Sequence, residues 1–84
     1  MSYTLIIDRH AQKQLDKIPP PHFNRIIKAI YSLQNDPRPQ GYKKLTGRPG
    51  YRIRVGDYRV IYLIEDKEVK VFIIDIGHRK EIYD

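Results

Sequence analysis

Tyr51-Arg-Ile-Arg-Val-Gly-Asp-Tyr-Arg-Val-Ile-Tyr62 is the stretch that decides the fold of this 84-residue chain. Apolar residues alternate with Arg52 and Arg54, Gly56-Asp57 supplies a two-residue turn, and the alternation then resumes. That pattern predicts a β-hairpin. With Val55 opposite Tyr58, Arg54 faces Arg59 across the strands, and Arg52 shares their face. Like charges directly opposite one another destabilise a sheet. The pair therefore points to an anion, and a phosphate suits it best, because guanidinium forks match phosphate oxygens bidentately.

The flanking sequence supplies the rest of the domain. Tyr3 to Ile7 is a short β-favouring run. Asp8 reads as the N-cap of a first helix to about Lys17, which presents Ala11, Leu15 and Ile18 at helical spacing. Pro19-Pro20-Pro21 stops that helix and starts another, because proline is tolerated only in a first turn. Phe23, Ile26, Ile27, Ile30, Tyr31 and Leu33 form the apolar stripe of the second helix, which Asn35-Asp36-Pro37 ends. Arg38 to Gly50 reads as a loop. After the hairpin, Asp66-Lys67 turns the chain into a nearly all-apolar strand, Val69 to Ile76, placed inside the sheet. Gly77 is expected to break it, with residues 78–84 forming a turn or a single helical turn. The expected architecture is α+β, one domain over residues 1–84 in the order β-α-α-β-β-β. A helical hairpin packs on one face of a mainly antiparallel four-stranded sheet. Alternation sends Tyr58 and Tyr62 towards the helices. It leaves Arg52, Arg54, Arg59, Ile61, Leu63, Phe72 and Ile74 on the other face, whose apolar half predicts a protein partner.

Charge is concentrated in the same region. The net charge is +6, from 16 Lys and Arg against 10 Asp and Glu. Arg38, Lys43, Lys44, Arg48, Arg52, Arg54 and Arg59, opposed only by Asp57, carry +6 between them, so the remainder sums to zero. Charge confined to one segment argues for a surface that meets a polyanion. Tyr42, Tyr51, Tyr58 and Tyr62 interleave with it as stacking planes for bases. No cysteine is available for disulfides or thiolate metal sites, and no Asp/Glu/His cluster has metal-ligand spacing. No apolar run approaches a bilayer-spanning length and no basic amphipathic helix carries bulky anchors, which excludes a membrane role. The N-terminus is charged too soon for a signal peptide. A cytoplasmic protein without cofactor or metal is expected.

The order of elements, the Lys44-Leu45-Thr-Gly47 approach, the arginine hairpin and the Gly77-His-Arg-Lys-Glu-Ile-Tyr83 ending resemble the RelE/ParE superfamily of bacterial and archaeal toxins, and the ending leans towards its RelE branch. The resemblance spans essentially the whole chain. It implies cleavage of messenger RNA in the ribosomal A site and silencing by a cognate antitoxin, here expected to be acidic. Arg52 and Arg54 fall where RelE-like toxins carry two basic strand residues, often lysines. Arg59 falls on their arginine of the next strand, Arg79 on the arginine after the last strand, and Tyr83 on their C-terminal tyrosine. The chain departs from the family in having arginines for lysines, in the closer spacing of Arg79 and Tyr83, and in ending one residue after Tyr83.

Attack by an RNA 2′-hydroxyl on its adjacent phosphodiester needs a base, an acid and positive charge for the phosphorane. Arg52, Arg54, Arg59 and Arg79 supply charge, and Tyr83 stacks or assists proton transfer. His78 is either the base or a structural cap at the strand end. Glu81 is a second acid/base candidate, set against a solvated terminal charge. Lys43, Lys44 and Arg48 are candidate RNA phosphate contacts, set against a solvated loop, and His10 and His22 read as surface residues. Two alternatives accompany the nuclease: a ParE-like gyrase poison, and an inactive relative that only binds RNA or ribosomes.

Overall fold

A computed structural model describes residues 2–78 of the chain. β1 (Thr4–Ile7) leads into α1 (Arg9–Asp16) and α2 (His22–Ser32), followed by β2 (Lys43–Lys44), β3 (Tyr51–Val55), β4 (Tyr58–Glu65) and β5 (Lys70–His78). The class is the expected one, α+β with a helical hairpin on one sheet face. The sheet has five strands rather than four, in the order β1-β5-β4-β3-β2. The additional strand comes from the segment read as loop, where Lys43 pairs with Arg52 and Lys44 with Tyr51. Two lysines with no apolar alternation give no strand signal, and pairing with β3 overrides their composition. β1 joins β5 in parallel and the other pairs are antiparallel.

Local chemistry explains the element ends. The Asp8 carboxylate accepts a 2.8 Å hydrogen bond from the Ala11 N–H, capping α1. Gly56 has φ +62 and Asp57 does not share the positive value, which makes the β3–β4 connection a type II′ turn. β5 begins one residue later than expected because Val69 sits in the turn at φ 57, rare for a β-branched residue. It also runs through Gly77 to His78, since Gly77 pairs with Arg59 and His78 with Tyr58. Pairing with β4 carries the strand past the glycine.

The main core lies between the helices and one sheet face, where Leu15, Ile26, Ile30 and Leu33 meet Val60, Tyr62, Val71, Ile73 and Ile76. The Tyr62 hydroxyl satisfies itself by donating to the Pro37 carbonyl at 2.7 Å. The opposite face is less open than expected. Ile61 is fully buried under Leu45, with Ile74 packed beside them, and Leu63 and Phe72 are half-buried. Leu45 reaches that position because its N–H donates to the Gly50 carbonyl. Gly50 itself has φ +118, and a Cβ there would come within 3.2 Å of the Tyr62 carbonyl oxygen. A β2–β3 hairpin thus folds over what the sequence suggested was an exposed apolar patch. Tyr31, on α2 and 53% exposed, is the only large apolar side chain left in solvent among the described residues.

Candidate RNA-binding site

Register sorts the basic residues into rows. Arg54 pairs with Arg59, and Arg59 with Gly77. Because Val55–Tyr58 closes the turn, Arg54–Arg59 is a pair of the non-hydrogen-bonded kind, in which side chains approach most closely. Their Cβ atoms are about 4.5–5.5 Å apart in such pairs. Both line a small cleft of ≈ 80 Å³ with Gly56, Asp57 and Tyr58. Arg54 is exposed and Arg59 half-buried.

The next row along the same face is Lys43, Arg52 and Ile61. Arg52 was expected on an open surface, but it is only 4% exposed and engaged with other residues of the chain. It sits in the row of Ile61, the side chain that Leu45 buries. Its charge lies beneath the surface rather than on it. Lys43 opposes Arg52 directly and faces the arginine side. Lys44, its neighbour in a strand, projects to the opposite face, in the row of Tyr51 and Tyr62. Arg48 is exposed in the loop between β2 and β3. That loop lies at the Tyr51 end of β3, whereas the arginine cleft lies at the Gly56 end, roughly 14 Å away at strand rise. Of the three candidate phosphate contacts, Lys43 lies on the arginine face one row from Arg54 and Arg59, while Lys44 on the other face and Arg48 in the distant loop do not join them.

His78 pairs with Tyr58 one position along from Arg59–Gly77, so strand alternation turns it to the helix-covered face. Its ring meets the Tyr58 ring edge-on, 5.6 Å between centroids, and His22 packs on Tyr58 at 5.4 Å. His22 is half-buried there rather than a surface residue, while His10 is exposed with its Nε2 3.4 Å from Asp75. Arg79, Glu81 and Tyr83 lie outside the described residues. Of the four tyrosines read as stacking planes, Tyr42, Tyr51 and Tyr62 pack on one another, at 5.8 and 6.0 Å, and only Tyr58 lines the arginine cleft.

Two arrangements were not legible in the sequence. Arg38, counted with the basic segment, is held by Asp66: Nη2 donates at 2.8 Å and Nη1 at 3.3 Å, while the Tyr3 hydroxyl donates to the same carboxylate at 2.8 Å. These bonds hold the Asp66 carboxyl below its ordinary range and raise the Tyr3 hydroxyl above its own. The Arg38 guanidinium also lies 5.9 Å over the Tyr51 ring. The second is Gln14. Where β1 ends, its side chain takes the place of a strand neighbour for β5, accepting from the Ile76 N–H at 2.7 Å and donating to Asp75 at 2.8 Å. A Gln nearly two turns from the N-cap, followed far along the chain by an Asp in an apolar run, is too common a pattern to single out. Among the described residues no three His, Asp or Glu side chains come together as metal ligands do, and no helix is long and apolar enough to cross a membrane.

With one face closed by helices and the other bearing opposed arginines, the molecule belongs to the class of small basic domains built to meet a polyanion. Comparison with known proteins narrows the class to a family. Residues 5–83 match the family described as the ParE toxin of the type II toxin–antitoxin system parDE, and the chain belongs to this RelE/ParE superfamily of toxins. It is 31% identical to the toxin RelG of Mycobacterium tuberculosis, with 99% of this chain and 98% of that protein covered. It is equally identical to the mRNA interferase toxin RelE of Escherichia coli, with 99% and 92% covered. The archaeal RelE–RelB complex of Pyrococcus horikoshii contains a chain with the same fold, at TM-score 0.84 and 31% identity, covering 98% of this chain and 100% of that one.

Proposed function

We propose that this protein is a ribosome-dependent endoribonuclease that cleaves messenger RNA and is held inactive by a cognate antitoxin. The observation that carries the reading is the Arg54–Arg59 pair, two like charges set opposite each other and lining one cleft. It stands in a chain similar over its whole length to an mRNA interferase. In the reaction the RNA 2′-oxygen attacks the adjacent phosphorus and the bond to the 5′-oxygen breaks. The hydroxyl proton passes to a base and the departing 5′-oxygen gains one, leaving a 2′,3′-cyclic phosphate and a 5′-hydroxyl. Arg54 and Arg59 meet the charge that grows on the non-bridging oxygens, and Arg52 adds positive potential from beneath. Arg79 and Tyr83 complete the set, as an additional cation and as a stacking or proton-transfer group. Arginines do the work of a metal ion here, so the cleavage is metal-independent. His78 faces away from the pair, which favours the structural role for it. Asp57, in the turn, is the carboxylate that lines the arginine cleft, and catalysis draws on the ribosome to orient the 2′-hydroxyl for in-line attack. The antitoxin reading draws on the likeness to the toxin of the RelE–RelB complex.

Primer extension on messenger RNA, with and without translating ribosomes and in the presence of a chelator, tests this. Cuts on ribosomes that survive chelation, with little cleavage of naked RNA, are expected. Equal cutting of naked RNA overturns ribosome dependence. The ParE description of the matching family supports one further reading, and gyrase-dependent DNA breaks without RNA cleavage would assign it.

A further inference from the structure

A second and larger cleft, of ≈ 470 Å³, opens between α1 and the end of β5. Its walls include His10, Lys13 and Gln14 of α1 and its C-cap Lys17, which recur at helical spacing along one stripe, and Tyr58, Gly77 and His78 from the sheet. We infer that this cleft is a second RNA subsite. It would take the nucleotide next to the one held by Arg54 and Arg59 on the same strand, with its phosphate on Lys13 and Lys17 and its base against the Tyr58–His78 rings.

Four observations converge on it. The volume falls in the range of sites that enclose a small ligand. Lys13 and Lys17 are exposed and have no carboxylate within ion-pair distance among the described residues, whereas Asp75, the nearby acid, is already bonded to Gln14. The aromatic wall is fixed in place, with Tyr58 held between His22 and His78. Bases stack on such planes regardless of their identity. Finally, the two clefts share a wall. Tyr58 lines both, and Gly77, which lines the larger, pairs with Arg59 of the smaller. A strand leaving the arginine pair can round the Gly56–Asp57 turn into the lysine cleft.

The inference rests on the RNA-binding reading above, and its test separates the two. A fluorescein-labelled single-stranded RNA oligonucleotide is titrated by anisotropy over a range of salt concentrations. The proteins compared are the unaltered chain, the Lys13→Ala/Lys17→Ala variant, the Arg54→Ala/Arg59→Ala variant, and an equal-charge control, Arg25→Ala/Lys28→Ala, on the exposed side of α2. Each phosphate contact to a single strand contributes about 0.7 to the slope of log K against log salt. The Lys13/Lys17 variant should therefore lose about 1.4 from that slope, while the α2 control keeps it. An unchanged slope in the lysine variant beside an impaired Arg54/Arg59 variant overturns this subsite alone. So does an equal loss in the α2 control, or a lysine effect seen on ribosomes but not on the oligonucleotide. Failure of the unaltered protein to bind the oligonucleotide overturns the subsite, while the parent reading stands or falls on primer extension with ribosomes.

Discussion

At the scale of single residues, the molecule separates arginines that look alike in sequence. Arg52 and Arg54 sit two apart on one strand and were read as equivalent. Yet Arg52 is buried beside Ile61, and Arg54 stands in solvent opposite Arg59. Arg52 shares its row with Ile61, over which Leu45 packs, a position no periodicity of the loop could announce. Arg54 therefore offers a cleaner mutational test than Arg52 or the half-buried Arg59, whose loss disturbs packing as well as charge. Arg59→Ala should reduce cleavage on ribosomes by on the order of a hundredfold, the usual cost of one charge-stabilising donor. Arg54→Ala should act in the same direction. Arg54→Ala should not lower the melting temperature, because it removes like-charge repulsion from an exposed position, whereas Arg59→Ala also gives up the contacts of a half-buried side chain engaged within the chain. Toxicity on induction and thermal melting, measured on the same variants, check this. A folded, fully toxic Arg59→Ala protein contradicts the site.

At the scale of elements, what the sequence made legible followed periodicity and turn chemistry. Both helices, the type II′ hairpin and the Arg54–Arg59 register could be read because alternation, the Asp8 cap and Gly56-Asp57 all agree locally. What stayed hidden depended on long-range pairing: β2 forms only because β3 is there to receive it, and β5 passes through Gly77 because β4 does. The face of His78 followed from that extension of β5, so its role could not be decided from a turn-like Gly-His pair. Gln14 belongs to the same group, since its partners are more than 60 residues away. It stands in for a β1 that ends at Ile7 and holds the last stretch of β5 against α1. Gln14→Ala leaves the partly buried Ile76 N–H without an acceptor, at a cost of about 1–3 kcal/mol. For a domain of this size each kcal/mol lowers the melting temperature by about 4–8 °C. Hydrogen exchange should show the loss concentrated at Ile76, with β3 protected as before. Unchanged melting and exchange would mean that water replaces the glutamine without penalty.

At the scale of the whole molecule, charge and apolar surface give different accounts of the partner. An open apolar sheet face was the first reason to expect one, but the β2–β3 hairpin covers much of it, and Tyr31 is an isolated exposed ring. The stronger reason is electrostatic. Residues 38–59 carry the whole net charge of +6, and internal pairing holds Arg38 against Asp66 while leaving Arg54, Lys43, Lys44 and Arg48 exposed. A partner that silences such a surface needs acidic side chains placed over the arginine side, and a segment that orders on contact can wrap a domain this small. An acidic antitoxin encoded beside this gene should therefore co-purify with the chain and raise its melting temperature with the logarithm of its excess over Kd. Its association rate should fall steeply as salt rises, since opposite charges steer the encounter. Stopped-flow mixing of toxin and antitoxin across a salt series measures this. Charge reversal at Arg54 and Lys43 should flatten the dependence, whereas reversal at Arg25 on α2 should leave it intact. A salt-independent association rate, with Tyr31→Ala weakening the complex more than the charge reversals do, would shift the binding surface from the arginine face to the helices.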